Sequence, residues 1–192
     1  AGSPDGRTAL GTWHDDAGDT GIAEFAMFPG WTVQPTGGHL APARYQGASS
    51  QLACTDLVSP VLTLGDPGEG PTLSFATIHD LEYDPGTILG YEGSLGQVEI
   101  ATGPTFNDWT RLPLTPDYPA FIDTAFNVCP TTQNIDYYFS DVDLTWNTYS
   151  ASLVNWGGLD VKLRFHLSGD LYFPGGHWWI DDVVVQQAYV RG

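Results

Sequence analysis

The clearest alternation of apolar and polar positions in the chain is Val161-Lys162-Leu163-Arg164-Phe165-His166-Leu167. Successive side chains of a strand point to opposite faces, so this run predicts a half-buried strand with Val161, Leu163, Phe165 and Leu167 inward. Lys162, Arg164 and His166 then face outward. The same period recurs in Gly96-Gln97-Val98-Glu99-Ile100-Ala101-Thr102, with Val98 and Ile100 inward, and residues 107–114 follow as its hairpin partner. Further strands are predicted over 21–28, 31–33, 57–64, 73–78 and 146–153, with a short one at 43–45. Pro60 has no N–H to give to a ladder, which predicts an edge or a bulge at that point.

The strongest β signal lies near the C-terminal end, in His177-Trp178-Trp179-Ile180-Asp181-Asp182-Val183-Val184-Val185. Apolar residues on both alternations predict a central strand covered on both faces. Strict alternation places Asp182 with Trp178, Ile180 and Val184, and Asp181 with Trp179, Val183 and Val185. The two acids are thereby expected on opposite sides, which argues against a shared acid–base pair. A carboxylate facing an apolar layer needs backbone N–H donors, an arginine, a cation or a proton.

Turn dipeptides separate these runs: Pro29-Gly30, the stretch 66–71, Gly157-Gly158 and Pro174-Gly175-Gly176. No segment has an apolar 3.6-residue period with caps. The predicted fold is all-β, a two-sheet antiparallel β-sandwich of jelly-roll type. Residues 1–20 are polar and rich in Gly and Asp, and read as an extended arm or linker, leaving 21–192 as one sandwich domain. The acids Asp15, Asp16 and Asp19 lack the spacing of a defined calcium loop, so they read as part of a solvated linker. Residues 34–51, 84–95 and 115–141 read as irregular.

Composition narrows the function. At 192 residues, 42% hydrophobic, with seven Trp, nine Tyr and nine Phe, the chain fills a core and is not disordered. Six basic against 23 acidic residues leave a net charge of −17. Such a surface repels phosphate backbones and anionic lipid, which argues against nucleic acid and membrane partners, and it favours cations. No apolar run has the length of a membrane span, and the chain reads as a mature protein or an excised domain. Cys54 and Cys129 belong to no zinc-type cluster; one disulfide, implying a secreted or cell-surface protein, is the simple reading, and two buried thiols the alternative.

The order of short motifs resembles a known family. Phe28-Pro29-Gly30-Trp31, Leu57-Val58-Ser59-Pro60-Val61-Leu62, Leu73-Ser74-Phe75, Gly96-Gln97-Val98-Glu99-Ile100 with Trp109, Val161-Lys162-Leu163-Arg164-Phe165 and Trp178-Trp179-Ile180-Asp181-Asp182-Val183 occur in sequence over about 21–186. The series is similar to the MAM-like, concanavalin-like jelly-roll modules of bacterial secreted and surface proteins, including those appended to immune inhibitor A-type metallopeptidases. The resemblance implies a non-catalytic accessory or adhesion module with a structural calcium. It implies Glu24 and Asp182 as calcium ligands, with Asp80 and Asp56 as additions; a salt bridge to Arg164 or Arg111 is the alternative for any one of these acids. The stretches 84–95 and 115–141 depart from the family pattern, and either build a private binding surface or pad an edge.

The chain carries no nucleophile elbow, no HExxH and no phosphate loop, and His79-Asp80-Leu81-Glu82 lacks the second histidine of a zinc motif. A secreted hydrolase or lyase using a carboxylate pair is thus the weakest reading. Binding of a glycan or an extracellular protein is the first, through aromatic rings near loops: Trp109, Tyr137, Tyr138, Trp156 and Trp178. Burial in the core is the competing fate of each ring. A structural surface protein or a support for an adjacent domain needs only a docking face.

Overall fold

The computed structural model describes residues 11–20, 23–50, 54–87, 90–129 and 135–190. Its strands, in chain order, are β1 (Gly11–Asp15), β2 (Ala26–Met27), β3 (Trp31–Gln34), β4 (Arg44–Ala48), β5 (Cys54–Val58), β6 (Leu62–Leu64), β7 (Thr72–Leu81) and β8 (Tyr83–Thr87). There follow β9 (Gly90–Gly93), β10 (Leu95–Thr102), β11 (Thr110–Arg111), β12 (Ala120–Asp123), β13 (Ile135–Tyr138), β14 (Asp141–Ser152), β15 (Asp160–Ser168) and β16 (Gly176–Val190). All pairings are antiparallel. One layer runs β14-β7-β16-β4-β3, and the other β11-β10-β15-β5-β2. The fold is therefore the expected β-sandwich.

The inward alternations meet between the layers. Leu163, Phe165 and Leu167 of β15 and Val98 and Ile100 of β10 pack with Trp178, Ile180, Phe75, Phe139 and Tyr149. Phe139 and Trp178 lie 5.2 Å apart between ring centres, and Phe75 and Phe165 meet edge to face at 5.0 Å. Rings of this size contribute the greatest buried area per residue, so the aromatic stack dominates the core.

β16 joins the two layers. Its first half pairs with β7 and β4, its middle with β7 and β1, and its end, Ala188 to Val190, with β6, which also pairs with β15. Simple alternation does not describe it. The fully buried side chains are Trp178 and Ile180, then Val183 and Val185, then nearly buried Ala188, so the parity slips twice. Asp182 and Gln187 sit at the slips with φ of 46° and 55°, and the register with β7 shifts between Asp181 and Val184. An extra residue in a strand bends it and reverses the facing of all that follows.

Several expectations are corrected. Gly11–Asp15 is not an arm but a strand of the sandwich, because its alternate residues Trp13 and Asp15 are buried against β16. The strand expected over 21–28 contracts to β2 among the described residues. The run 57–64 splits around Pro60 into β5 and β6, both paired with β15, β6 with β16 as well. Within 84–95 lies the β8–β9 hairpin, and within 115–141 the β12–β13 hairpin.

Candidate ligand-binding face

The outward residues of β10, β15 and β5 make one connected polar face. Cross-strand pairing sets Glu99 beside Arg164, and His166 beside Asp56. Arg164 Nε donates to Glu99 Oε2 at 2.5 Å, and its Nη1 reaches Asp56 Oδ2 at 3.4 Å. His166 Nδ1 lies 2.6 Å from Asp56 Oδ1, and Gln97 Nε2 donates to Glu99 Oε1 at 3.1 Å. The Arg164 guanidinium is stacked 4.4 Å from the Trp109 ring centre, which holds the fork flat over the sheet.

The β12–β13 hairpin folds over one end of this face. Ile122 and Tyr138 bury against Leu95, forming a second small core with Tyr83 packed on it. Cys54 and Cys129 form a disulfide, with Cα atoms 5.9 Å apart, that ties the adjoining segment to the start of β5. The stretch that departed from the family pattern thus walls the sheet. At the wall's foot Arg111 stacks on Tyr118 at 4.1 Å and Tyr138 at 4.6 Å, pairs with Asp136 through Nη1 at 2.5 Å, and also donates from Nη2 to the carbonyl of Tyr137. Burial pushes the Tyr118 phenol up to about 12, so it stays protonated; it donates to the carbonyl of Leu112 at 3.0 Å and accepts the Val98 N–H at 3.1 Å.

A groove of about 710 Å³ opens here, lined by Arg111, Pro113, Asp117, Asp136 and Tyr137 among others. Tyr137 is 50% exposed. Its ring meets Phe121 edge to face at 5.3 Å, and Phe121 meets Tyr91 at 5.5 Å, so three rings run in a row along the outside of the wall.

The aromatic residues expected to bind ligand divide accordingly. Trp178 and Tyr138 are 0% exposed and are corrected to core residues, since a ring packed on both faces has none to offer. Trp156 is half-buried against the main core. Trp109 is half-buried and occupied by Arg164. Tyr137 lies at the groove. Phe121 and Tyr91 were missed by the sequence reading because the hairpins that expose them carry no strong alternation.

The four acids expected to bind calcium are not brought together. Asp56 sits between Arg164 and His166, its charge already answered. Asp80 is exposed on β7, opposite Val142 and His177. Glu24 Oε2 accepts the indole N–H of Trp13 at 2.5 Å. Asp182 Oδ2 lies 2.8 Å from His39 Nδ1, and Oδ1 lies 3.7 Å from His14 Nε2. Among the described residues no group of three His, Cys, Asp or Glu is gathered to hold a metal. That set does not fit a calcium shell.

Acids of the N-terminal segment are instead absorbed by backbone donors. Asp15 accepts Ala17 N at 3.0 Å, Glu24 N at 2.6 Å and the Tyr45 hydroxyl at 2.8 Å; both Asp19 oxygens accept Ala43 N at 3.0 Å. The solvated-linker reading of these acids is therefore corrected, because Asp15 and Asp16 are buried. Asp181 accepts His39 N at 2.7 Å and Asp182 N at 2.8 Å. Burial raises its carboxyl to about 6, against the pull of those two N–H groups and with the help of the Asp182 and Asp19 charges.

The chain is similar to the K2 cleaved adhesin domain of Lys-gingipain, with a TM-score of 0.51 and 12% identity over 91% of this chain and 99% of that one. The K3 adhesin domain of Lys-gingipain from Porphyromonas gingivalis gives 0.49 at 18% identity, over 91% and 98% of the two chains. The CBM22-2 xylan-binding domain of Paenibacillus barcinonensis Xyn10C gives 0.49 at 12%, again over 91% and 98%. At these identities the likeness is one of fold alone. No protein-family model and no curated protein matches the chain.

Proposed function

We propose that this protein is a non-catalytic glycan-binding module of a secreted or surface protein, with its site at the groove beneath the β12–β13 hairpin. The observation that carries the reading is the half-exposed Tyr137 ring at a groove whose polar lining includes the Arg111–Asp136 pair. Sugars present an apolar C–H face and a rim of hydroxyls. A rigid aromatic ring meets the first, and a fixed cation–carboxylate pair supplies donors and acceptors to the second. Tyr91 and Phe121 extend the platform beyond the groove.

The disulfide supports a location outside the reducing cytoplasm. Among the described residues no helix is long and apolar enough to cross a membrane. The MAM-like motif order supports an accessory or adhesion role beside another domain, and the likeness in fold to the K2 adhesin domain of Lys-gingipain accords with that class.

A glycan array followed by calorimetry on the full chain tests the reading. A hit should lose at least tenfold in affinity in Tyr137→Ala and in Asp136→Ala. An array without hits, or a hit indifferent to both changes, overturns the site.

A further inference from the structure

Away from the groove, three side-chain oxygen sets are buried without partners. Glu92 on β9 is 0% exposed, and neither of its carboxylate oxygens has a hydrogen bond. Asp170, in the β15–β16 connection, is also 0% exposed; Oδ1 accepts the N–H groups of Tyr172 and Phe173, while Oδ2 has no partner. Asn127 Oδ1 is buried and unpartnered as well.

The chain knits these three together. Asn127 Nδ2 donates to the carbonyl of Gly93, the residue after Glu92, at 3.0 Å, and to that of Gly169, the residue before Asp170, at 3.4 Å. Asn127 and Asp170 also form an isolated β-bridge. The amide nitrogen is thereby fully used in positioning, and its oxygen is left without a partner. Asp84, paired across the hairpin with Glu92, and Asp123 add negative field at longer range.

No protein cation answers this charge among the described residues. Arg44 lies over Trp179, Arg111 pairs with Asp136, Lys162 lies over Phe106, and Arg164 pairs with Glu99 and Asp56.

We infer that Glu92, Asp170 and Asn127 are ligands of a divalent hard cation, calcium by chemistry, at a site distinct from the acids that the sequence singled out. All available donors are oxygens, with no thiolate or imidazole, which excludes a zinc-type set. Calcium accepts carboxylate, amide and main-chain carbonyl oxygens in flexible geometry and completes its shell with water, whereas magnesium holds to a stricter octahedron. Bound there, the ion would fasten β9, the segment before Cys129 and the β15–β16 connection to one another, bracing the wall that carries Tyr137.

The test uses the full chain, with calcium as the probe and a chelator as the reference. Thermal melting should show a rise of at least about 5 °C in millimolar calcium. Glu92→Gln and Asp170→Asn should abolish that rise, whereas Glu24→Gln and Asp182→Asn should retain it. Asn127→Asp adds a charge to the shell and should tighten calcium binding several-fold by calorimetry; this gain of function holds the inference to account even if a loss variant fails to fold. Absence of a calcium response in the parent chain overturns the inference. So does a response that survives both Glu92→Gln and Asp170→Asn, or one that Asp182→Asn alone removes. Glycan binding measured in parallel stands or falls separately, because the groove residues are not ligands of the ion.

Discussion

Asp182 Oδ2 lies 2.8 Å from His39 Nδ1, while Asp181, next in sequence, accepts the main-chain N–H of that same histidine at 2.7 Å. Two neighbours of a regular strand never share a partner in this way. They do so here because the bulge at Asp182, with its left-handed φ of 46°, turns both carboxylates toward the segment carrying His39. Asn and Asp tolerate that conformation and β-branched residues do not. Asp182→Val should therefore lower stability by about 1–2 kcal/mol more than Asp182→Asn, measured by urea unfolding. Equal losses would mean that the bulge imposes no conformational demand.

The raised Asp181 carboxyl predicts the direction of a pH effect. Its folded value of about 6 exceeds the unfolded value of 3.8, so the folded state holds the proton more tightly. Its contribution to stability is full below about pH 4 and is lost as pH rises through about 6. Asp181→Asn should flatten the stability profile across that window. A profile of unchanged slope in the variant would assign the titration elsewhere, Asp15 and Glu92 being the other buried acids raised by desolvation.

Trp178 and Tyr137 should respond in opposite ways. Trp178 touches Phe139, Phe165 and Trp31, and its indole N–H donates to Thr77 Oγ1 at 2.8 Å. Trp178→Ala should cost about 3–5 kcal/mol of stability. Tyr137→Ala should change stability by less than about 1 kcal/mol and remove glycan binding. Chemical denaturation read together with calorimetry separates the two; a Tyr137 variant that unfolds would make its ring structural rather than ligand-facing.

Removing Arg164 should be worse than removing its pair. Glu99 is buried, and without the guanidinium it keeps only the amide of Gln97. Arg164→Ala should destabilise by about 3–5 kcal/mol, and adding Glu99→Gln should recover part of that loss. A double variant no better than the single would show that the ion pair is not the source of the cost.

Much of the fold was legible along the chain. The alternations of β10 and β15 read directly into inward Val98, Ile100, Leu163 and Phe165, because a half-buried strand between regular neighbours has only one register that hides its apolar side. Pro60 marked a real break for an equally local reason: it has no N–H. The site was far less legible. Asp56 and Arg164, or Arg111 and Asp136, meet only because segments far apart in sequence come together in the fold, and no local spacing encodes such meetings.

The sequence by itself determined an all-β sandwich, the net charge of −17 and the cysteines available to pair, since these follow from period and composition. Tertiary structure alone decided which rings face water, where Gly11–Asp15 lies, and on which side each terminal aspartate falls. The reason is physical: alternation predicts facing only while the ladder is regular. One left-handed residue in β16 reverses it, and whether the strand bulges there is set by the neighbours it must join.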